Sequence, residues 1–196
     1  MKIMKSKGVT LIELIVAVGI FAIFISVIFG FFVVVIRIQK RVLARQGLLD
    51  KTSYVLEYMN RALRMAVMEE ADENVPDCIE ENANYKISGN AIRFLKYEDP
   101  VYICEQFFWD PVTFVLKEQK SIDNTEAGFV GIIPVELTPP DIKIEDFKPI
   151  VYNDVPSADD KGQARVTILL KAASKTSGSP AINLQTSVSQ RNPNVK

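Results

Sequence analysis

Twenty-three consecutive uncharged residues, Leu14 to Ile36, constrain this chain more than anything else in it. As a helix rising about 1.5 Å per residue they reach roughly 35 Å, enough to cross a hydrocarbon core of about 30 Å. The apolar run starts earlier, at Val9, and reads VTLIELIVAVGIFAIFISVIFGFFVVVI. An ordinary cleaved signal peptide has an apolar stretch of about 7–15 residues with small residues at the cut. Here the stretch is longer and no small-residue site follows it. The plain reading is a single-pass signal anchor.

Two residues do not suit a plain anchor. Glu13 lies inside the apolar run, one turn from its start. A carboxylate at membrane depth costs on the order of 2.5–3.5 kcal/mol on insertion scales, so one that persists usually has a partner. Gly8 separates the run from a short basic leader that holds Lys2, Lys5 and Lys7 and no acid. A cut after Gly8 would give Val9 a new α-amine, and Glu13 could offer its charge to that amine on its own chain or on a neighbour.

The stretch Lys7-Gly8-Val9-Thr10-Leu11-Ile12-Glu13, continued by Leu14 to Val18, resembles the signal sequence of type IV prepilins and type II secretion pseudopilins. The resemblance implies that a membrane-embedded prepilin peptidase cuts after Gly8 and methylates Val9. It implies that Glu13 neutralises the amine of an adjacent subunit during assembly. Val9 stands where the family usually has phenylalanine or methionine. The three leader lysines favour a cytoplasmic N-terminus, but Arg37, Lys40, Arg41 and Arg45 at the far end of the run oppose that count. The resemblance implies a bacterial inner-membrane protein with the leader inside and a globular head outside.

Helical spacing continues past Arg37. Ile38, Val42, Leu49, Leu56, Met59, Leu63 and Ala66 recur on one face, widened by Leu48, Val55, Ala62 and Val67. Arg45 and Thr52 interrupt that face. The pattern predicts a helix from about Val9 to about Ala71, stopped before Pro76. Gly19, Gly30 and Gly47 are its expected soft points, each costing about 1 kcal/mol relative to alanine. In pilins the second half of such a helix packs on a β-sheet as the spine of the head. The stretch from Tyr54 to Arg64 is similar to the larger minor pilins and minor pseudopilins, including the J-type of type II secretion.

Beyond Pro76 the period changes. Strands are predicted at Ala91–Tyr97, Val101–Trp109, Thr113–Lys117, Ile142–Val151, Ala164–Ala172 and Ile182–Val188. Turns are marked at 88–90, Asp99-Pro100, Asp110-Pro111, Pro139-Pro140 and 177–180. Strands without intervening helices imply a mainly antiparallel sheet, hence an α+β fold: one long N-terminal helix packed on a β-rich head. The organisation expected is a leader at 1–8, a transmembrane and assembly helix at 9–36, its amphipathic continuation at 37–75 and the head at 76–196. The run from Leu184 to Asn192 is similar to the C-terminal strand of many minor pilin-like proteins, which ends in Val-x-x-Arg-Asn. The plain account of Arg191 and Asn192 is a strand-terminal ion pair and turn.

Composition narrows the chemistry. The chain has no histidine, which removes the commonest general base and the commonest zinc ligand. No P-loop and no Gly-x-Gly-x-x-Gly occurs, and no catalytic constellation or cofactor is indicated. The formal charge is −1 overall, and residues 76–196 carry 13 basic and 17 acidic side chains. Nucleic acid is therefore not indicated as a partner. Cys78 and Cys104 are too few for a structural zinc site, and a spacing of 26 is not that of a redox pair. Outside the cytoplasm they would form a disulfide, stapling the helix-to-sheet connection to a strand; the alternative is two unrelated buried thiols. Asp154, Asp159 and Asp160 share a loop and form a weak calcium candidate, as in some pseudopilins, but they lack EF-hand spacing and a solvated acidic loop is the preferred reading. Phe107, Phe108 and Trp109 fit either a contact patch or a core strand.

Two functions remain. One is a minor pilin or pseudopilin whose partners are the prepilin peptidase, the inner membrane and other pilin subunits. The other is a single-pass, membrane-anchored extracytoplasmic binding domain that does not assemble. The second explains the apolar length but not Gly8 together with Glu13.

Overall fold

The computed structural model describes residues 8–69, 78–80, 82–121, 125, 127–153, 163–175 and 181–191. Among the described residues one α-helix, α1 (Leu11–Arg64), precedes nine strands, with a 3-10 turn at Ala127–Phe129, so the α+β architecture with a long N-terminal helix and antiparallel sheets is observed. The strands are β1 (Ala66–Val67), β2 (Tyr85–Ser88), β3 (Ala91–Glu98), β4 (Val101–Asp110), β5 (Val115–Lys120), β6 (Val135–Glu136), β7 (Ile142–Tyr152), β8 (Arg165–Ser174) and β9 (Ile182–Ser189). The chain divides into two compact units, one ending at Ala44 and one beginning at Arg45.

The first unit is the apolar helix. From Leu11 to Ala44 its large side chains are exposed almost throughout, Leu11 at 77% and Phe31 at 71%. The segment is long and apolar enough to cross a membrane. The helix stays regular through Gly19 and Gly30, the expected soft points, because glycine costs helix stability without breaking its hydrogen-bond ladder.

The second unit is built around the last turns of α1. Leu48, Val55, Leu56, Met59 and Leu63 are buried at three- and four-residue spacing. They join Phe94 and Phe107 of β3 and β4 and Ile144, Phe147, Ile168 and Leu170 of β7 and β8 in one core. Each fully buried side chain of this size stabilises by about 1.5–3 kcal/mol relative to an exposed one. Thr52 does not interrupt the buried face. It is 2% exposed, and its hydroxyl donates to the Leu48 carbonyl at 2.7 Å, so the polar group enters the core satisfied.

The helix ends at Arg64 rather than near Ala71. The Met65 amide donates to the Ala62 carbonyl, which tightens the last turn, and the Arg191 amide donates to the Arg64 carbonyl at 2.8 Å. Ala66 and Val67 then pair with Lys96 and Leu95 of β3. Two apolar residues fit a helix stripe or a strand equally well, and the free edge of β3 decides for the strand. Pro76 lies outside the described residues.

Both sheets are antiparallel. The first has the order β1-β3-β4-β5-β6, with β2 also on β3; the second has the order β7-β8-β9. Five predicted strands match within two residues at either end. The sixth opens two residues late, at Val115, and closes three residues late, at Lys120. The cause of the late opening is local: the Asp110 carboxylate accepts from the Val112 amide at 2.9 Å and the Thr113 hydroxyl at 2.7 Å. Phe114 takes φ 58° and donates its amide to the Asp110 carbonyl. This side-chain-closed turn consumes Thr113 and Phe114 before the ladder resumes. The turn at 88–90 forms as expected between β2 and β3, where Gly89 takes the left-handed φ of 58° that a tight hairpin requires.

Candidate functional site

Gly8 lies three residues before the first helical residue, Leu11. A Cβ built at Gly8 meets nothing within 4 Å, so the fold does not demand glycine at this position. Thr10 is the residue before the first helical position, and Glu13 lies three residues on. The Thr10 amide and hydroxyl each donate to Glu13 Oε2 at 3.0 Å, and the Glu13 amide donates to Thr10 Oγ1 at 3.4 Å. This is a capping box: Thr-x-x-Glu answers two of the amides that a helix start leaves unbonded. The pattern was present in the sequence, and charge reasoning passed over it. Glu13 thus has a local partner in the single chain. Both contacts use Oε2, and a carboxylate has capacity for more.

Residues 3–29 match the family model described as the prokaryotic N-terminal methylation motif. The chain carries a prepilin-type methylation motif. No curated protein and no solved structure matches the chain. The motif is consistent with the type IV pilin and pseudopilin family and suggests a structural pilin rather than an enzyme. The match does not extend to the J-type subclass. With the apolar helix, the motif fits a protein anchored in the inner membrane.

In the head, Cys78 and Cys104 form a disulfide with a Cα–Cα distance of 5.7 Å. It joins the connection after β1 to β4, the staple expected from the sequence. A second core cluster surrounds it, formed by Ile79, Ala83, Leu95 and Phe129. Glu69 turns inward beside it and accepts from the amides of Cys78 at 3.2 Å and Ile79 at 2.7 Å. The Arg93 guanidinium lies 4.9 Å from the centre of the Phe129 ring.

The calcium candidates Asp154, Asp159 and Asp160 lie outside the described residues. Among the described residues, no group of three or more His, Cys, Asp or Glu could hold a metal ion. Two of the three aromatics read as core strand: Phe107 is fully buried, and the half-buried Trp109, packed on the same core, donates its indole N–H to the Ile144 carbonyl at 3.0 Å. Arg191 is tied to the end of α1 through its backbone; its neighbour Asn192 lies outside the described residues.

One buried polar cluster had no sequence signal, because its members are remote in the chain. Glu105 of β4 is 1% exposed, and its carboxylate lies 2.9 Å from the Lys96 ammonium. Glu118 of β5 accepts from the Tyr58 hydroxyl of α1 at 2.8 Å and lies 3.2 Å from Lys120. Burial pushes Glu105 up to about 7, helped by its hydrogen bond to Glu118 and opposed by Lys96. Burial also pushes Glu118 upward, but the hydrogen bonds from Glu105 and Tyr58 outweigh it and hold that carboxyl below its ordinary value. The two carboxyls are thus pushed apart, Glu105 upward and Glu118 downward.

A carboxyl whose folded value is raised binds its proton more tightly folded than unfolded. The stability that Glu105 contributes is complete below its unfolded value of 4.5 and is lost as pH rises to about 7. Glu118 works in the opposite sense at lower pH, losing its contribution as pH falls through its depressed value. Denaturant unfolding of the intact chain should show stability declining from pH 5 to pH 8, by up to about 3 kcal/mol if Glu105 acts alone. Glu105→Gln should flatten that decline. An unchanged slope in the variant would assign the pH dependence elsewhere.

Proposed function

We propose that this chain is a structural subunit, a minor pilin or pseudopilin, of a type IV pilus or type II secretion-like filament. The observation that carries the reading is the match of residues 3–29, a span that contains Gly8, Val9 and Glu13, to the methylation motif. In this reading residues 1–8 are a leader removed by the prepilin peptidase, and Val9 is the methylated N-terminus. Residues 9–36 form the membrane and assembly segment, the N-terminus is cytoplasmic and the head lies outside. The partners are other pilin subunits. Glu13 binds the Val9 amine of the subunit before it, with Thr10 holding the carboxylate in place. The disulfide supports an oxidising, extracytoplasmic setting for the head.

The intact mass of the protein from membranes, with and without an active prepilin peptidase, tests this reading. The expected result is loss of residues 1–8 only when the peptidase is active, with or without one added methyl group. A full-length chain beside an active peptidase would leave the tethered, non-assembling binding domain as the better account.

A further inference from the structure

Arg37, Lys40 and Arg41 follow the apolar run directly and are exposed on α1. At 3.6 residues per turn they fall within about 100° of arc, on one face of the helix. The usual reasons for cations on a helix do not account for them. No acidic residue occurs between Glu13 and Asp50, so none of the three has a carboxylate three or four positions away. Among the described residues the ion pairs of α1 are those of Lys51 with Asp141 and Arg61 with Glu57. The helix dipole favours cations only in the last turn, and that place is held by Arg61 and Arg64. Arg37 and Arg41, four apart, repel each other. The face is electrostatically incomplete in the single chain.

Its position supplies the partner. The 23 uncharged residues ending at Ile36 match the thickness of a bilayer core, so a chain anchored through them carries these cations at headgroup level. We propose that Arg37, Lys40 and Arg41 form a docking face for the phosphates of anionic phospholipids on the side of the membrane where the apolar run ends. This rests on the membrane-anchored reading of residues 9–36. Phosphodiester oxygens complement the planar donor fork of arginine, and the lysine adds a compact charge beside it. The contact offsets the repulsion along the face and fixes the depth of the helix before assembly.

The test uses the full-length chain in phosphatidylcholine vesicles containing about one-fifth phosphatidylglycerol, at roughly 0.1 M salt, where charges act over about 10 Å. Retention after alkaline carbonate extraction is checked first. The association of spin-labelled phosphatidylglycerol relative to phosphatidylcholine is then read from the motionally restricted lipid. The wild-type chain should prefer phosphatidylglycerol, and the preference should weaken in high salt. R37Q/K40Q/R41Q should lower it at least about fivefold, the ordinary effect of even one such cation. R37K/R41K should keep most of it. All variants retain the leader lysines, so the difference reports this face alone, and intact helix content by circular dichroism guards against misfolding.

A retained chain without selectivity, or a glutamine variant as selective as wild type, overturns the proposal and leaves the anchor reading standing. Concentration-dependent chain association that the glutamine variant loses, without lipid preference, also overturns it and assigns the face to a neighbouring subunit. Carbonate extraction of the wild-type chain overturns the anchor reading and this proposal together.

Discussion

Glu13→Leu should leave the protein in the membrane and remove it from filaments. Leucine relieves the cost of holding a carboxylate at membrane depth, on the order of 2.5–3.5 kcal/mol, so insertion should be unimpaired or improved. The variant also loses the Glu13 half of the capping box, the bonds from the Thr10 amide and hydroxyl, while Thr10 stays as the N-cap, so the loss is confined to the first turn of a 54-residue helix. Neither effect touches the head. What vanishes is the negative charge that would meet the α-amine of the neighbouring subunit. Incorporation should fall at least about tenfold, since removing one partner leaves the other charge buried and uncompensated, a cost of about 3–5 kcal/mol.

Immunoblots of sheared filaments against membrane fractions give the comparison. Glu13→Gln separates the two roles of the side chain, because glutamine can complete a capping box but carries no charge. It should fail in assembly as leucine does. Normal incorporation of the leucine variant would remove Glu13 from the assembly mechanism. Normal incorporation of the glutamine variant alone would make helix capping the function of the residue.

The second large effect concerns the head. Replacing both cysteines with alanine opens a loop closed across a sequence separation of 26, which on the chain-entropy account costs about 3.5 kcal/mol. Against a typical domain stability of about 5–15 kcal/mol that is a substantial loss. Alanine avoids burying two hydroxyl groups where Cys78 and Cys104 are fully enclosed. The unfolding midpoint of C78A/C104A in denaturant should fall well below that of the oxidised wild type, and reduced wild type should move the same way. A change below about 1 kcal/mol would mean that other ties already fix this connection. The bonds from Glu69 to the amides of Cys78 and Ile79, and the stacking of Arg93 on Phe129, are the evident ones.

The sequence by itself determined the features that depend on local composition and period. The uncharged run to Ile36 sets the helix and its suitability for a membrane. Residues 3–29, with Gly8, Thr10 and Glu13 among them, carry the methylation motif within one short segment. Alternation and turn residues located the six long strands to within two residues at each end, apart from the close of β5, which runs three residues past Lys117. These features are legible because each is fixed by neighbours within a few positions.

Tertiary structure decided the rest, because the deciding partner lies far along the chain. The helix stops at Arg64 because Arg191 closes its end and β3 offers Ala66 and Val67 a ladder. Thr52 is inside the core because its hydroxyl finds a carbonyl one turn back and the surrounding face is covered by both sheets. The short strands β1, β2 and β6 exist only through pairing with longer ones, having too few residues to carry a period of their own. The raised Glu105 and lowered Glu118 arise from burial and from the Tyr58 hydroxyl on Glu118, some sixty residues away in the chain. Periodicity shows which face of an element is apolar, but only the assembled core shows which polar groups that face can take inside.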